Sequence, residues 1–232
     1  MVYQYIKSKL LDLYRHNIEP RAEALHAEQI YQGIFIQQCR AFGVNEVFYP
    51  VGAAASYSLM YLLTRVLTEL PAHRVIELGS GQTTALIDRL RKSEGSHVAY
   101  DQSELWVNTV AGRVTRCSLQ FSELTASTFE GTAYQGYAKL QKTDFDLLLV
   151  DGPNGTAQNS RFDCIPLVAA NQSNEFIVII DDASRPGEQD TVRRLSQLLA
   201  KKGIDYKLNY LSGRTTQAVF TTPKFRAASY YF

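Results

Sequence analysis

The chain has 232 residues, of which 45% are hydrophobic and 20% are charged, as is ordinary for a globular protein. Its 24 basic and 23 acidic side chains give a formal net charge of +1, which excludes the overall basic field that draws proteins onto nucleic acid or anionic membranes. Cys39, Cys117 and Cys164 show neither metal-ligand spacing nor a disulfide pattern, and no signal-peptide core or apolar run of ~20 residues occurs. We therefore expect a soluble cytoplasmic protein.

The first 70 residues are predicted to be helical. Apolar side chains recur at helical spacing over residues 3–14, Pro20 can start a second helix that runs to about Arg40, and residues 53–70 form a third helical stretch before Pro71. We expect residues 1–70 to form an N-terminal extension that acts as a lid or in dimerisation.

From Arg74 onward, strand-like and helix-like stretches alternate. The strand candidates are residues 74–78, 97–101, 114–121, 145–150 and 176–180, and the helical stretches between them are 83–92, 103–111, 161–170 and 188–202. Only residues 212–214 connect the strand-like runs 205–211 and 215–221. Parallel strands need a connection of a dozen or more residues, so these two runs are predicted to form an antiparallel hairpin. The fold class is therefore α/β, a doubly wound and mostly parallel seven-stranded sheet with its last strand antiparallel. The aromatic tail, residues 223–232, is expected to pack on this domain (71–222) or on a second subunit.

The segment after the first strand candidate is typical of a cofactor-binding turn. Glu77 ends the strand, and Gly79 and Gly81 follow it, so the backbone can adopt angles closed to other residues and approach a ligand closely. An ionised Glu77 would accept hydrogen bonds from a ligand that offers donors. An ordinary tight turn of an α/β protein is the alternative interpretation.

Four short motifs together resemble class I S-adenosylmethionine-dependent methyltransferases. They are Glu77-Leu-Gly-Ser-Gly81 after the first strand, Asp101 at the end of the second, Asp151-Gly-Pro153 after the fourth, and Asp181-Asp182 after the fifth. The resemblance covers residues 71–222 and points to a branch that methylates oxygen atoms of small molecules and sugars.

The resemblance implies a role for each motif in holding S-adenosylmethionine. Residues Gly79, Ser80, Gly81 and Thr83 would approach its methionine part, with Glu77 near the amino-acid end.

The residues after the second strand would hold the nucleoside. Asp101 would accept both ribose hydroxyls, and Gln102 and Trp106 would lie on the adenine side. Two alternatives stay open: Asp101 could instead cap the following helix, with Glu104 three residues on, and Trp106 could simply pack in the core. Thr84 stands where dinucleotide-binding enzymes have a third glycine, which disfavours an NAD-dependent enzyme.

Acidic residues end two strands that we expect to be neighbours. Asp151, Asp181 and Asp182 would then share one crevice, where the carboxylates repel each other unless a proton or a cation intervenes. One interpretation is a Mg²⁺ site formed by all three, similar to that of catechol-type methyltransferases. The other is a catalytic role for Asp151 or Asp182 as a general base or in positioning the acceptor, with the acids paired to arginines such as Arg161 and Arg185. Asp151 would also contribute to the cofactor site.

This chain lacks the catalytic base of the catechol-type pattern. Those enzymes carry a lysine three residues after the fourth-strand acid, where this chain has Asn154. If a base is needed, a carboxylate is therefore the better candidate.

These observations favour an S-adenosylmethionine-dependent methyltransferase that acts on a hydroxyl of a small molecule or sugar, with possible help from Mg²⁺. The alternatives are an NAD(P)-dependent oxidoreductase and a non-catalytic cofactor-binding protein. No nucleic-acid or membrane partner is expected, and a homodimer is possible.

Overall fold

The computed structural model describes residues 19–230 together with Ile6, Lys7, Lys9 and Phe232. The predicted helix over residues 3–14 therefore lies almost wholly outside the described residues. The next two predicted helices are present as α1 (Glu19–Ala41) and α2 (Tyr57–Glu69), and the Ser56 hydroxyl caps α2 by accepting from the Leu59 amide at 3.3 Å.

Strands and helices alternate from residue 74 onward, as the sequence predicts. The strands are β1 (Arg74–Leu78), β2 (Ser96–Asp101), β3 (Ser118–Phe121), β4 (Leu124–Phe129), β5 (Thr132–Tyr137), β6 (Leu147–Val150), β7 (Ile177–Ile180), β8 (Lys207–Ser212) and β9 (Thr216–Thr221). The helices are α3 (Gln82–Leu90), α4 (Glu104–Ala111), α5 (Cys164–Ala170) and α6 (Pro186–Lys201), followed by a 3₁₀ segment, Pro223–Ser229.

Within residues 19–230, seven strands form one sheet in the order β3-β2-β1-β6-β7-β9-β8. The five strands from β3 to β7 are parallel, and β9 is antiparallel to both of its neighbours. The predicted mostly parallel sheet with an antiparallel last strand is confirmed. In this order β6 and β7 are neighbours, which is the condition that the predicted acidic crevice requires.

Each face of the sheet is covered by a separate apolar cluster. Side chains on one face pack with α5 and α6, and those on the other face pack with α2 and α3, to which α1 contributes Phe35 and the tail contributes Phe225. Residues of β6 alternate between the two clusters, which explains why its sequence is a continuous apolar run. Helix α2 therefore belongs to the core, α1 joins it through Phe35, and the start of the tail packs on the body of the molecule.

Several elements begin later than the sequence predicts, and for two of them the cause is local. The third strand starts at Ser118 instead of residue 114, because the amides of Thr115 and Arg116 donate to the Asp88 carboxylate at 2.9 and 2.8 Å and are not free for the sheet. Helix α5 starts at Cys164 instead of residue 161, because Arg161 has φ +54°, outside the helical region.

The hairpin β4–β5 was not predicted. Its two strands form a separate sheet joined by Glu130 and Gly131, both with positive φ, as a tight two-residue hairpin turn requires. The Glu130-Gly131 pair could have indicated the turn, but polar and apolar residues alternate too weakly on either side of it to predict strands. No helix in the described part of the chain is long and apolar enough to cross a membrane.

Candidate functional site

The carboxyl ends of β1, β2, β6 and β7 open into one cavity of about 780 Å³. It is lined by segments 51–55, 79–83, 101–103 and 151–155 together with Trp106, Tyr137, Arg161, Asp181, Asp182, Arg185, Arg214 and Thr215. This is where open α/β sheets bind ligands, and the volume lies within the roughly 300–1,000 Å³ of small-molecule sites.

The turns after β1 and β6 touch each other through two glycines. Gly79 has φ +88°, and a Cβ placed on it would lie 2.7 Å from the Gly152 nitrogen; a Cβ on Gly152 would lie 2.5 Å from the Gly79 Cα. Neither position can hold a larger residue without moving backbone. Thr84, which replaces the third glycine of dinucleotide-binding turns, accepts the Gly81 amide on its hydroxyl at 2.8 Å.

Asp101 lines the cavity beside this turn. One carboxylate oxygen accepts from the Ser80 amide and hydroxyl at 2.8 and 2.9 Å, and the other accepts from the Ser103 amide at 2.9 Å. The cap of α4 is Ser103, whose hydroxyl lies 3.3 Å from the Trp106 amide nitrogen. The alternative that Asp101 caps this helix is therefore wrong.

Trp106 and Gln102 line the same end of the cavity. The indole of Trp106 is 45% exposed and donates from Nε1 to the Ser80 carbonyl at 2.6 Å, so the core-packing alternative is wrong. The Gln102 side-chain oxygen accepts from the Asn154 amide at 3.3 Å, which links the β2 end of the cavity to the loop after β6.

Glu77 does not reach the cavity in this structure. Its carboxylate is fully buried, accepts from the Thr83 hydroxyl at 2.5 Å, and lies 3.0 Å from Nε2 of His97. The cause is strand alternation, because Glu77 shares the face of Val75, which packs beneath α2 and α3. We expected Glu77 near the amino-acid end of the cofactor, either directly or through water; the direct contact is excluded here, because the buried carboxylate instead fixes Thr83, which does line the cavity.

Asp151, Asp181 and Asp182 converge as the strand order requires. One oxygen from each lies within 4.8 Å of the others. Asp182 has φ +57°, a strained conformation for a residue other than glycine. Asp181 accepts on one oxygen from the Thr215 hydroxyl at 2.9 Å and from the Gln217 amide at 2.7 Å.

Arg161 lies among these acids with only 5% of its side chain exposed. Its guanidinium donates to Asp182 Oδ2 at 2.9 Å and to the Asp181 carbonyl at 3.0 Å, and lies 3.5 Å from Asp151 Oδ1. Arg185 adds a second cation, 2.8 Å from Asp182 Oδ2. The predicted arginine pairing is therefore present for Arg161 and Arg185.

Burial shifts the proton affinities of this cluster. Desolvation, followed by the charge of Asp181, raises the pKa of Asp151 well above the ordinary carboxyl value, although Arg161 opposes the shift. Desolvation and the charge of Asp182 raise the pKa of Asp181 in the same way. The pKa of Arg161 is raised despite its desolvation, because the surrounding carboxylates outweigh it. Asp151 and Asp181 therefore hold their protons to a higher pH than free carboxyls do.

The segment before α2 forms a roof over the cavity. Gln82 pairs with both the amide and the carbonyl of Tyr49, and Arg214 donates to the carbonyls of Gly52 and Ala54. Glu28 on α1 accepts from the Arg214 amide at 2.9 Å and so ties the helix to the β8–β9 turn. The sequence pointed to the N-terminal segment as a roof or a dimer surface, but it did not identify Arg214.

Asp163 anchors the hairpin β4–β5 next to the cavity. Its carboxylate accepts from the Tyr137 amide at 2.8 Å, and desolvation raises the pKa of Asp163 to about 6 even though this bond and Tyr134 oppose the shift. Tyr137 lines the cavity. It was not predicted as a site residue, because no local pattern marks the hairpin that carries it.

Asp163→Asn is expected to flatten the pH dependence of stability between pH 4 and 6. In the unfolded chain this carboxyl ionises near pH ~3.9, whereas in the folded chain it keeps its proton to about pH 6. Between these values the folded state binds more protons, so stability falls as pH rises, by about 2–3 kcal/mol in all. Urea denaturation at pH 4, 5, 6 and 7 measures the slope, and the same slope in both proteins would contradict the assignment.

No protein-family profile and no curated protein matches the chain. Among solved structures, it is similar to the O-methyltransferase TomG from Streptomyces achromogenes in complex with SAM, with a TM-score of 0.51 and 14% identity over 87% of this chain and 98% of that chain. It is also similar to an O-methyltransferase from Bacillus cereus in complex with SAH, with a TM-score of 0.49 and 13% identity over 91% and 96% of the two chains. At such identity the first likeness establishes the fold, which is that of class I methyltransferases.

Proposed function

We propose that this chain is an S-adenosylmethionine-dependent methyltransferase that acts on a hydroxyl of a small molecule or sugar. The observation that carries the proposal is a single cavity in which the glycine turn of β1, Asp101 of β2 and the acids that follow β6 and β7 all meet. Its volume of about 780 Å³ leaves room for an acceptor beside a nucleoside cofactor.

The cofactor would lie across the tips of β1 and β2. The close contact of Gly79 with Gly152 leaves backbone, and no side chain, facing the methionine part. Asp101 would bind one ribose hydroxyl through Oδ1: three of its roughly four lone-pair sites already accept from Ser80 and Ser103, and one stays available for a ligand, which is too few for the expected contact to both ribose hydroxyls. Trp106 and Gln102 would flank the adenine.

Asp151 is the better candidate for the general base. S-adenosylmethionine would supply the methyl group, with its sulfonium sulfur as the leaving atom, and Asp151 would receive the proton that the acceptor hydroxyl gives up. A raised pKa suits Asp151 to this task, whereas Asp182 is held by Arg161 and Arg185. We therefore assign Asp182 a positioning role.

The residues present do not fit a Mg²⁺ ion well. Asp182 Oδ2 is occupied by two guanidinium groups, and Asp181 Oδ1 accepts from Thr215 and Gln217. The buried Arg161 and the exposed Arg185 also place positive charge beside these acids, and this repulsion adds to the cost of binding a divalent cation. We therefore propose methyl transfer without a metal, with Arg161 balancing the acids instead.

Two features speak against an NAD(P)-dependent oxidoreductase. The sheet ends in β7-β9-β8 with an antiparallel strand between two parallel ones, unlike the classical dinucleotide-binding order, and Thr84 replaces the third glycine. A non-catalytic cofactor-binding protein shares the same cavity, so binding and turnover must be measured separately.

Titration calorimetry and thermal unfolding test the proposal. SAH at 100 times its dissociation constant is expected to stabilise the protein by ~2.7 kcal/mol, while NAD produces no shift. EDTA and added Mg²⁺ should leave SAH affinity unchanged. No heat with either SAM or SAH on folded protein would refute the cofactor assignment, and a response to NAD alone would favour the oxidoreductase.

Asp101→Ala is expected to weaken SAH binding about 30- to 100-fold, because hydrogen bonds to a charged group each contribute about 1.5–3 kcal/mol and the variant also releases Ser80. Glu104→Ala is the matched control, since this exposed acid lies in the first turn of α4 and does not line the cavity. Calorimetry on both variants measures the difference. An Asp101→Ala variant that binds SAH as tightly as the control removes the ribose role.

A further inference from the structure

One side chain of the hairpin β4–β5, that of Tyr137, lines the cavity. Tyr137 is the last residue of β5, and its amide is fixed by Asp163 at 2.8 Å. A Cβ on the preceding Gly136 would lie 2.6 Å from the same carboxylate, so the hairpin end can come this close only with glycine there. The ring of Tyr137 contacts that of Tyr100 with 6.2 Å between centroids. Its position is therefore set from both sides.

The Tyr137 hydroxyl is buried without a partner. The residue is 5% exposed, and among the described residues its oxygen has no hydrogen-bond partner. The Gly79 amide lies close by but donates to the Tyr100 carbonyl at 2.8 Å. Buried hydroxyls are nearly always hydrogen-bonded, because leaving one unpaired is costly. An unpaired hydroxyl that lines a cavity is therefore poised for a ligand.

The surroundings of this hydroxyl make it a donor. Desolvation, then the charges of Asp101 and Asp163, raise the pKa of Tyr137 well above its ordinary value, so the oxygen keeps its proton. A Cβ on Gly152 would lie 2.7 Å from this oxygen, which places the hydroxyl directly beside the contact of the two glycine turns. Its neighbours are thus groups of the cofactor side: Gly79, Gly152 and Asp101.

We propose that the Tyr137 hydroxyl binds the cofactor where its nucleoside part joins the methionine part, by donating a hydrogen bond to a ribose oxygen beside Asp101 and the contact of Gly79 with Gly152. This assignment rests on the proposed function, since it takes the ligand over Gly79 and Asp101 to be a nucleoside. The hairpin then has a role in binding: it completes the cofactor site from a part of the chain that lies outside the main sheet.

Tyr137→Phe tests the assignment, with Tyr134→Phe as the matched control on the same strand. Tyr134 packs on Phe162 with 4.9 Å between ring centroids and does not line the cavity. Calorimetry with SAH and with adenosine gives affinity, and thermal unfolding without ligand gives stability. We expect Tyr137→Phe to bind both ligands about tenfold more weakly, with an unchanged or higher melting temperature because an unpaired polar group is removed. Tyr134→Phe loses a bond to Asp163 and so tests the anchoring of the hairpin: its melting temperature should fall, while its SAH affinity stays within about threefold of wild type.

Three results would overturn the inference. Unchanged SAH affinity in Tyr137→Phe removes the contact. Weaker SAH but unchanged adenosine binding moves the contact to the amino-acid part of the cofactor. A fall in melting temperature and affinity in both variants indicates a structural role of the hairpin. If the wild-type protein binds neither ligand, the proposed function itself has failed, and this outcome is distinguished from the other three by the wild-type titration.

Discussion

Arg161→Met is expected to lower the free energy of unfolding by about 3–5 kcal/mol, because it leaves buried carboxylates without their cation. The Arg161 guanidinium contacts Asp182 directly, lies near Asp151 and Glu188, and also holds the Asp181 carbonyl. Part of the loss should be recovered at low pH, where the acids become protonated. Urea denaturation at pH 5 and pH 8 measures both effects.

The control for this prediction is Arg193→Met. Arg193 is an exposed residue of α6 that pairs with Asp190, and its loss should change stability by no more than about 0.5 kcal/mol. Combining Arg161→Met with Asp182→Asn should cost less than the sum of the two single changes, because the uncompensated charge is then absent. Equal stability of the Arg161 and Arg193 variants would refute the charge-balancing role of Arg161. A metal ion would then be the better candidate for balancing the charge of the acids.

Asp151→Asn is expected to lower kcat by 10²- to 10⁴-fold while SAH affinity stays within about threefold of wild type, because a general base contributes to the chemical step and little to cofactor binding. An assay of SAH release with a panel of phenolic and sugar acceptors identifies a turned-over compound with the wild-type protein, and the same compound is then given to the variant. Asp144→Asn, a half-exposed acid that does not line the cavity, is the control.

The pH dependence of kcat is a second test of this prediction. A base must be ionised to act, so wild-type kcat should rise with pH through the raised pKa of Asp151 and then level off. The rising limb should disappear in Asp151→Asn. A variant that keeps both the limb and the rate shows that another group takes the proton.

The sequence predicted those parts of the fold that depend on local pattern. The apolar runs of β6 and β7 read as strands because helices bury both their faces, and the short 212–214 connection forced the antiparallel pair β8–β9. The hairpin β4–β5 escaped notice because its strands are half-exposed and rich in Ser, Thr and Ala, with weak alternation.

The candidate site was predictable where residues follow strand ends directly. Asp101, Asp151 and the Asp181-Asp182 pair reach the cavity for this reason. Direct contact of Glu77 with a ligand was not excluded by the sequence, because strand alternation does not say which face of the sheet a residue takes; here Glu77 shares the face of Val75. Arg214 and Tyr137 depend on tertiary contacts between distant segments, which no local pattern reports. The homodimer and the cytoplasmic location expected from the sequence stay predictions.

The roof segment has a consequence for the speed of ligand exchange. Residues 49–54 are held to the rest of the molecule by the bonds from Gln82 and Arg214, and Val51 is mostly exposed, so no core packing holds this stretch down. Four hydrogen bonds of about 0.5–1.5 kcal/mol each can break and re-form without disturbing either apolar cluster. An opening of this kind belongs to the lid openings and local unfolding events of microseconds to seconds. A ligand in the cavity can therefore leave without any loosening of the core.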